Sequence, residues 1–302
     1  MLHLLENCTL CPRQCGVNRL AGELGYCRCG ANIKVAKAFL HQWEEPCISG
    51  VTGSGTVFFS HCNLNCVFCQ NYRISQEHLG REITIEQLAQ IFLKLQAQGA
   101  HNINLVSPTL YVPHIAEALL LAKKAGLSVP VIYNSNGYDS MPALQAISGL
   151  VDIYLPDLKY YDDFLAQKYS KAPRYFHFAS QAVLEMHRQV GNPVFSSDGL
   201  LTQGLIIRHL LLPGFLEQSK QILSWIKQNL PSDVYLSLMA QYTPLYQAAC
   251  YPELNTKVTA SEYETLIDFF FAIGLENGFV QELEAASDEF VPDFDLSGVD
   301  PL

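Results

Sequence analysis

TVFFSHCNLNCVFC, residues 56–69, runs from an apolar stretch of strand character straight into three cysteines, Cys62, Cys66 and Cys69. The spacing C-x3-C-x2-C puts three thiols in one loop directly after a strand, the edge at which parallel β/α sheets carry their chemistry. Iron–sulfur cubanes ordinarily take four cysteine ligands, so this loop leaves one iron of a [4Fe–4S] cluster without a protein ligand. The other reading is a zinc ion that borrows a fourth ligand such as His61. Zinc knuckles, however, seldom sit between a strand and a helix of an α/β sheet.

Outward from this loop, apolar runs of strand length alternate with stretches of helical period. The strands are TVFFS from Thr56, INLV from Ile103, PVIYN from Pro130, VDIYLPD from Val151, LIIRHLLLP from Leu205 and VYLSLMAQY from Val234. Helices are predicted over 84–98, where Thr84 and Gln87 form a capping-box pattern and Gly99 a stop, and over 113–124, 179–190, 216–228 and 261–273. Six β/α units are too few for a closed eight-stranded barrel. The pattern therefore predicts an α/β fold, a partial (β/α)6 TIM-type barrel open on one side, spanning residues 51–280. A Cys-rich metal-binding segment, 1–50, precedes it and an acidic tail, 281–302, follows. Residues 191–204, rich in Gly, Ser, Asp and Pro, read as a loop or short hairpin.

The cysteine loop, with Phe68 before its third cysteine, resembles the motif of the radical SAM superfamily. Asp157-Leu158-Lys159, and Ile207-Arg208 followed by Leu212-Pro213-Gly214, resemble segments of pyruvate formate-lyase activating enzymes. EEPCISG (44–50), CQNYRISQ (69–76), HNINLVSPT (101–109) and IYLPDLKYY (153–161) are similar to the PflX-type homologues of those enzymes, a likeness covering nearly the whole chain up to the tail. The resemblance implies a [4Fe–4S] cluster at Cys62, Cys66 and Cys69 that binds S-adenosylmethionine and cleaves it reductively to a 5′-deoxyadenosyl radical. It further implies hydrogen abstraction from the glycine of a partner, a glycyl radical enzyme, with an electron donor such as flavodoxin or ferredoxin.

At the second strand end the family commonly carries a Gly-Gly-Glu-like segment for the methionine ammonium; here stand Ser107, Pro108 and Thr109, whose hydroxyls accept hydrogen bonds but bring no carboxylate. Asn134, Ser135, Asn136 and Gly137 resemble the polar turn that reaches the ribose. Asp157 and Lys159 are charges ending an apolar strand, which calls for a partner or a ligand. Arg208, within LIIRHLLLP, suits a carboxylate. Alternation puts His209 on the opposite face, under a helix. Gln241 and Tyr242 are weaker candidates to line a substrate cavity.

Cys8, Cys11, Cys15, Cys27 and Cys29 crowd the first thirty residues. The first four make a second metal site, zinc or a second [4Fe–4S] cluster, with Cys29 the spare. The segment after them, with His41, Glu44 and Glu45, reads as a strap over the barrel. Cys47 and Cys250 read as small apolar residues.

With 302 residues, 49% of them hydrophobic, the chain can bury a substantial core. A net charge of −10 and the lack of a basic run argue against a nucleic-acid surface. No apolar run reaches the length of a membrane span, and the N-terminus has no signal-peptide pattern, so a cytoplasmic protein is expected. Beside the activase stand two other functions, a radical enzyme acting on a small molecule, peptide or RNA, and a non-catalytic metal-binding scaffold.

Overall fold

The computed structural model describes residues 1–281 and 292–299. Its strands are β1 (Ile33–His41), β2 (Ser54–Phe59), β3 (Arg81–Ile83), β4 (Ile103–Val106), β5 (Val131–Ser135), β6 (Ile153–Pro156), β7 (Val194–Phe195), β8 (Leu201–Leu210), β9 (Tyr235–Met239) and β10 (Gly278–Val280). They form one sheet in the order β10-β9-β8-β6-β5-β4-β2-β1-β3, with β7 paired to β8. The run from β2 to β10 is parallel throughout. The ends of the sheet are different strands, so it does not close, and the six expected β/α strands are all present. β10 adds a short parallel strand beside β9 that the sequence reading did not include: three residues with Gly278 among them carry little strand signal.

The parallel strands owe their apolar runs to burial on both faces. β2, β5 and β6 are buried at every position. Helices cover the outside. That over Ile85–Ala97 starts on the capping box expected at Thr84 and Gln87 and buries Leu88, Ile91, Phe92 and Leu95, side chains of the size worth about 1.5–3 kcal/mol each when fully buried. A second capping box, Thr259 with Glu262, starts Ala260–Ala272. The 191–204 stretch is a hairpin, β7 pairing antiparallel with the start of β8.

The two ends of the chain are less separate than their composition suggests. β1, drawn from the Cys-rich segment, pairs antiparallel with β2 and with β3 and extends the sheet. Within the acidic tail, residues 292–299 lie against β1: the Ala38 amide donates to the Ser297 carbonyl at 3.0 Å, and Lys37 pairs with Asp295 at 3.1 Å. Phe294, 3% exposed, meets Phe58 edge to face. The acidic residues that dominate the composition of this segment hid the two apolar anchors, Phe294 and Val299, that hold it. Residues 282–291 and 300–302 of that tail lie outside the described residues.

This docking gives a direct test. Deleting residues 292–302 is expected to expose the Ala38 amide to fast hydrogen exchange while amides of β5 keep their protection; unchanged protection at Ala38 would contradict the contact.

Candidate active site

The cysteine loop leaves β2 through His61, whose backbone is left-handed at φ 67°. The end of helix Asp163–Ser170 pins it: the Asn65 amide donates to the Ser170 carbonyl at 3.0 Å and the Val67 amide to Tyr169 at 2.8 Å. Each thiol then meets a polar group from outside the C-x3-C-x2-C run. Asn136 Nδ2 donates to Cys62 Sγ at 3.3 Å, Ser170 Oγ to Cys66 Sγ at 2.9 Å, and Ser75 Oγ lies 3.3 Å from Cys69 Sγ. Burial and the neighbouring Cys66 push the Cys62 thiol up to about 12, and burial pushes Cys66 up to about 11. The bare thiols are thus protonated, and a metal would bind by displacing those protons. The donor set is all sulfur, three ligands on one loop with hydrogen bonds already aimed at them, which fits a cluster with one open iron. His61, the fourth ligand of the zinc alternative, has its Nδ1 3.0 Å from the Cys27 carbonyl and its ring stacked on His78 at 4.2 Å.

Cys66, Phe68 and Cys69 form one side of a cavity of about 240 Å³, measured as space open to the centre of a water molecule. On its other side the strand ends bring together a network of buried charge. Arg208 Nε donates to Asp157 Oδ1 at 2.9 Å, its Nη2 to Asn134 Oδ1 at 2.5 Å, and its Nη1 lies 3.3 Å from Glu44 Oε2. Lys159 Nζ is 2.6 Å from Asp157 Oδ2. Burial alone would raise the Asp157 pKa, yet the charges of Lys159 and Arg208 overcome it and hold the carboxyl below its usual range. Glu44 goes the other way: burial raises it more than Arg208 and Asn104 lower it. Gln241 and Tyr242, the weaker candidates, also line this cavity, as do His41 and Pro292.

The remaining candidates divide. Thr109 Oγ1 donates to Asp139 Oδ1 at 2.7 Å and Ser135 Oγ to Asp139 Oδ2 at 2.6 Å, so both hydroxyls serve a buried carboxylate, 1% exposed, and neither residue lines the cavity. Ser107 is the left-handed residue that starts the 3-10 turn Pro108–Tyr111. Asn136 faces the cluster loop, with a second bond from Nδ2 to Asn63 Oδ1 at 2.7 Å. Gly137, at φ 75°, is required by close approach: a Cβ there would stand 2.4 Å from the Asp157 carbonyl oxygen. His209 packs where alternation puts it, Nδ1 2.7 Å from the Leu158 carbonyl and Nε2 2.8 Å from Ser219 Oγ of the covering helix.

Two residues escaped the sequence reading. Glu44, taken as part of a strap, enters the cavity as a carboxylate and is further held by Asn104 Nδ2 at 3.0 Å. The carboxylate that the second strand end lacks is thus matched by one from the N-terminal segment. Asp139 had no local signal beyond its nearness to the Asn134–Gly137 turn.

An open parallel β/α sheet with an all-thiol loop after its first parallel strand defines a partial barrel of the iron–sulfur radical enzymes. The family model of the radical SAM superfamily matches residues 56–226, and the chain belongs to that superfamily. It is 31% identical over 276 residues to an uncharacterized protein of Methanocaldococcus jannaschii, covering 88% of this chain and 75% of the relative. A second uncharacterized protein of that organism is 27% identical over 174 residues, 52% of this chain and 50% of the relative. Among solved structures, Streptococcus suis SuiB bound to S-adenosylmethionine superposes with a TM-score of 0.52 at 13% identity, covering 76% of this chain and 50% of SuiB. The FeFe-hydrogenase maturase HydG of Carboxydothermus hydrogenoformans gives 0.51 at 12%, covering 76% and 54%. The chain spans about half the length of these solved structures. Membership implies an enzyme with a [4Fe–4S] cluster and S-adenosylmethionine as cofactors. No helix among the described residues is long and apolar enough to cross a membrane.

Arg208→Met leaves Asp157 and Glu44 without their shared cation, a loss expected to cost about 3–5 kcal/mol at pH 7. Because the folded pKa of Asp157 is depressed, its contribution is present above the ordinary value of 3.8 and fades as pH falls through the folded one. The gap between wild type and variant in urea unfolding should therefore narrow below pH 4; a gap that widens there would refute the assignment.

Proposed function

We propose that the chain cleaves S-adenosylmethionine at Cys62, Cys66 and Cys69 and uses the radical to abstract hydrogen from a glycine of a partner protein, leaving a glycyl radical. The observation that carries the reading is the cavity itself, with Cys66 and Cys69 on one side and Glu44, Asp157, Lys159 and Arg208 facing them. A cluster bound to the three thiols would supply one electron to the sulfonium, so that a carbon–sulfur bond breaks to methionine and a carbon radical that takes a hydrogen atom. The chain's own groups bind and orient. Lys159 and Arg208 offer cationic donors to a carboxylate, Glu44 and the Asn134 amide accept from an ammonium or a hydroxyl, and Phe68, set edge to face on Tyr242, gives the cavity an apolar wall.

The finer identity, an activating enzyme, draws on the Asp157-Leu158-Lys159 and Arg208 segments, which resemble those of pyruvate formate-lyase activating enzymes. The partners of this reading are a glycyl radical enzyme and a one-electron donor of the flavodoxin or ferredoxin class, in the cytoplasm. SuiB, a protein of the same fold, has been seen with a precursor peptide, which favours peptide substrates as the second reading. The reaction makes no demand on the N-terminal thiols.

Anaerobically reconstituted protein with S-adenosylmethionine and a strong reductant is expected to release methionine and 5′-deoxyadenosine in equal amounts. The Cys62→Ala variant should lose at least a hundredfold in rate. A glycyl signal in electron paramagnetic resonance on an added partner selects the activase; cleavage with no such signal across partners selects the peptide reading, and no cleavage at all rejects both.

A further inference from the structure

The cysteines of the first thirty residues form a site of their own. Two backbone bonds, Cys8 N to the Val17 carbonyl at 3.0 Å and Gly16 N to the Cys8 carbonyl at 3.1 Å, close a loop that brings Cys11 and Cys15 round beside Cys8. A second arm comes alongside at Gly25, where a Cβ would stand 3.0 Å from Cys15 Sγ, and carries Cys27 in. Cys8, Cys11, Cys15 and Cys27 line one cavity; Cys29 does not.

Four cysteine thiols lining one enclosed space are the donor set of a metal centre, either a zinc ion or a [4Fe–4S] cubane.

Charge gives an independent indication. Arg19 is 1% exposed, and its guanidinium donates to the Gly30 carbonyl at 2.7 and 2.9 Å, the Leu110 carbonyl at 2.7 Å and Cys29 Sγ at 2.9 Å. Among the described residues no carboxylate pairs with it. A buried cation held only by neutral groups is costly, whereas four thiolates leave a net charge of about −2 beside it, whether they hold a [4Fe–4S] core or a zinc ion. Cys29, bound to Arg19 and outside the cavity, positions that cation.

We propose that Cys8, Cys11, Cys15 and Cys27 together ligate a second metal centre with four thiolate ligands. It sits against the first loop: the Cys27 carbonyl meets His61 Nδ1 at 3.0 Å, Arg13 Nε donates to the Asn63 carbonyl at 2.9 Å, and Cys27 and Cys62 line a common cavity.

The test is metal and sulfide analysis of a Cys62→Ala, Cys66→Ala, Cys69→Ala variant, made anaerobically with iron, sulfide and zinc all supplied. About four iron and four sulfide per chain remaining, with a reduced-cubane signal in electron paramagnetic resonance, make the centre a cluster, and about one zinc makes it a zinc site. In either case adding Cys11→Ala should remove most of that metal, and adding Cys29→Ala should keep it. No retained metal, or metal that Cys11→Ala leaves in place, overturns the proposal. Should the triple variant not fold, wild type decides: about four further iron or about one zinc beyond the first four iron supports the second centre, and four iron with no zinc does not. These counts do not depend on whether S-adenosylmethionine is cleaved.

Discussion

The guanidinium of Arg208 joins the ends of three neighbouring parallel strands to the segment that follows β1. β8 supplies it, the ends of β6 and β5 supply Asp157 and Asn134, and the segment after β1 supplies Glu44. Each group is expensive to bury alone, because charge leaves water at a cost of several kcal/mol per ion, and each becomes tolerable only when the others are present. The sheet ladder sets the strand ends in relative height, and the network adds a carboxylate tie to the N-terminal segment, whose β1 already pairs with β2. Lys159, bound to the far oxygen of Asp157, extends the same network toward Cys66.

The cluster loop depends on that alignment at one remove. Its thiols take hydrogen bonds from Asn136, which follows β5, and from Ser170 at the end of a helix, and Cys69 shares one with Ser75 of the short helix beyond the loop. Such contacts set how readily a cluster accepts an electron, since a donor to a ligand sulfur favours the more negative, reduced state. Close approach of the β5 and β6 ends, possible because Gly137 has no Cβ, is what holds Asn136 in place. Tyr175 reinforces the join: its hydroxyl accepts the Lys159 amide at 3.0 Å and lies within 2.9 Å of the carbonyls of Asn136 and Asp157.

What could be read from sequence was whatever is written locally. The strands announce themselves as apolar runs because both of their faces are covered; the capping boxes are spaced three residues apart; the cluster cysteines lie within eight residues of one another. Arg208 and Asp157 stood out as charges inside apolar strands, and the network they form explains why. Glu44 did not stand out, since its partners lie 60 and 164 residues away and its neighbours read as a strap. Thr109 and Ser135 had the right chemistry for a ligand, yet Asp139, a short way along the chain, takes their hydroxyls. Residues 292–299 were hidden by their charge: a composition that favours solvent can still dock when two apolar side chains find a pocket.

That docked segment carries a consequence for the way the protein is made. Lys37 contacts Asp293 across 256 residues of chain, and Pro292 forms part of the wall of the central cavity. At 5–20 residues per second, a ribosome needs roughly 10–50 s between making one side of this contact and the other. Throughout that interval the outer edge of β1 and the floor of the cavity stand uncovered, even though the barrel's parallel strands are emerging in the order in which they pair. Cys66 and Cys69, which line the same cavity, are thus made long before that wall, so a cofactor can enter while the cavity is still open on this side.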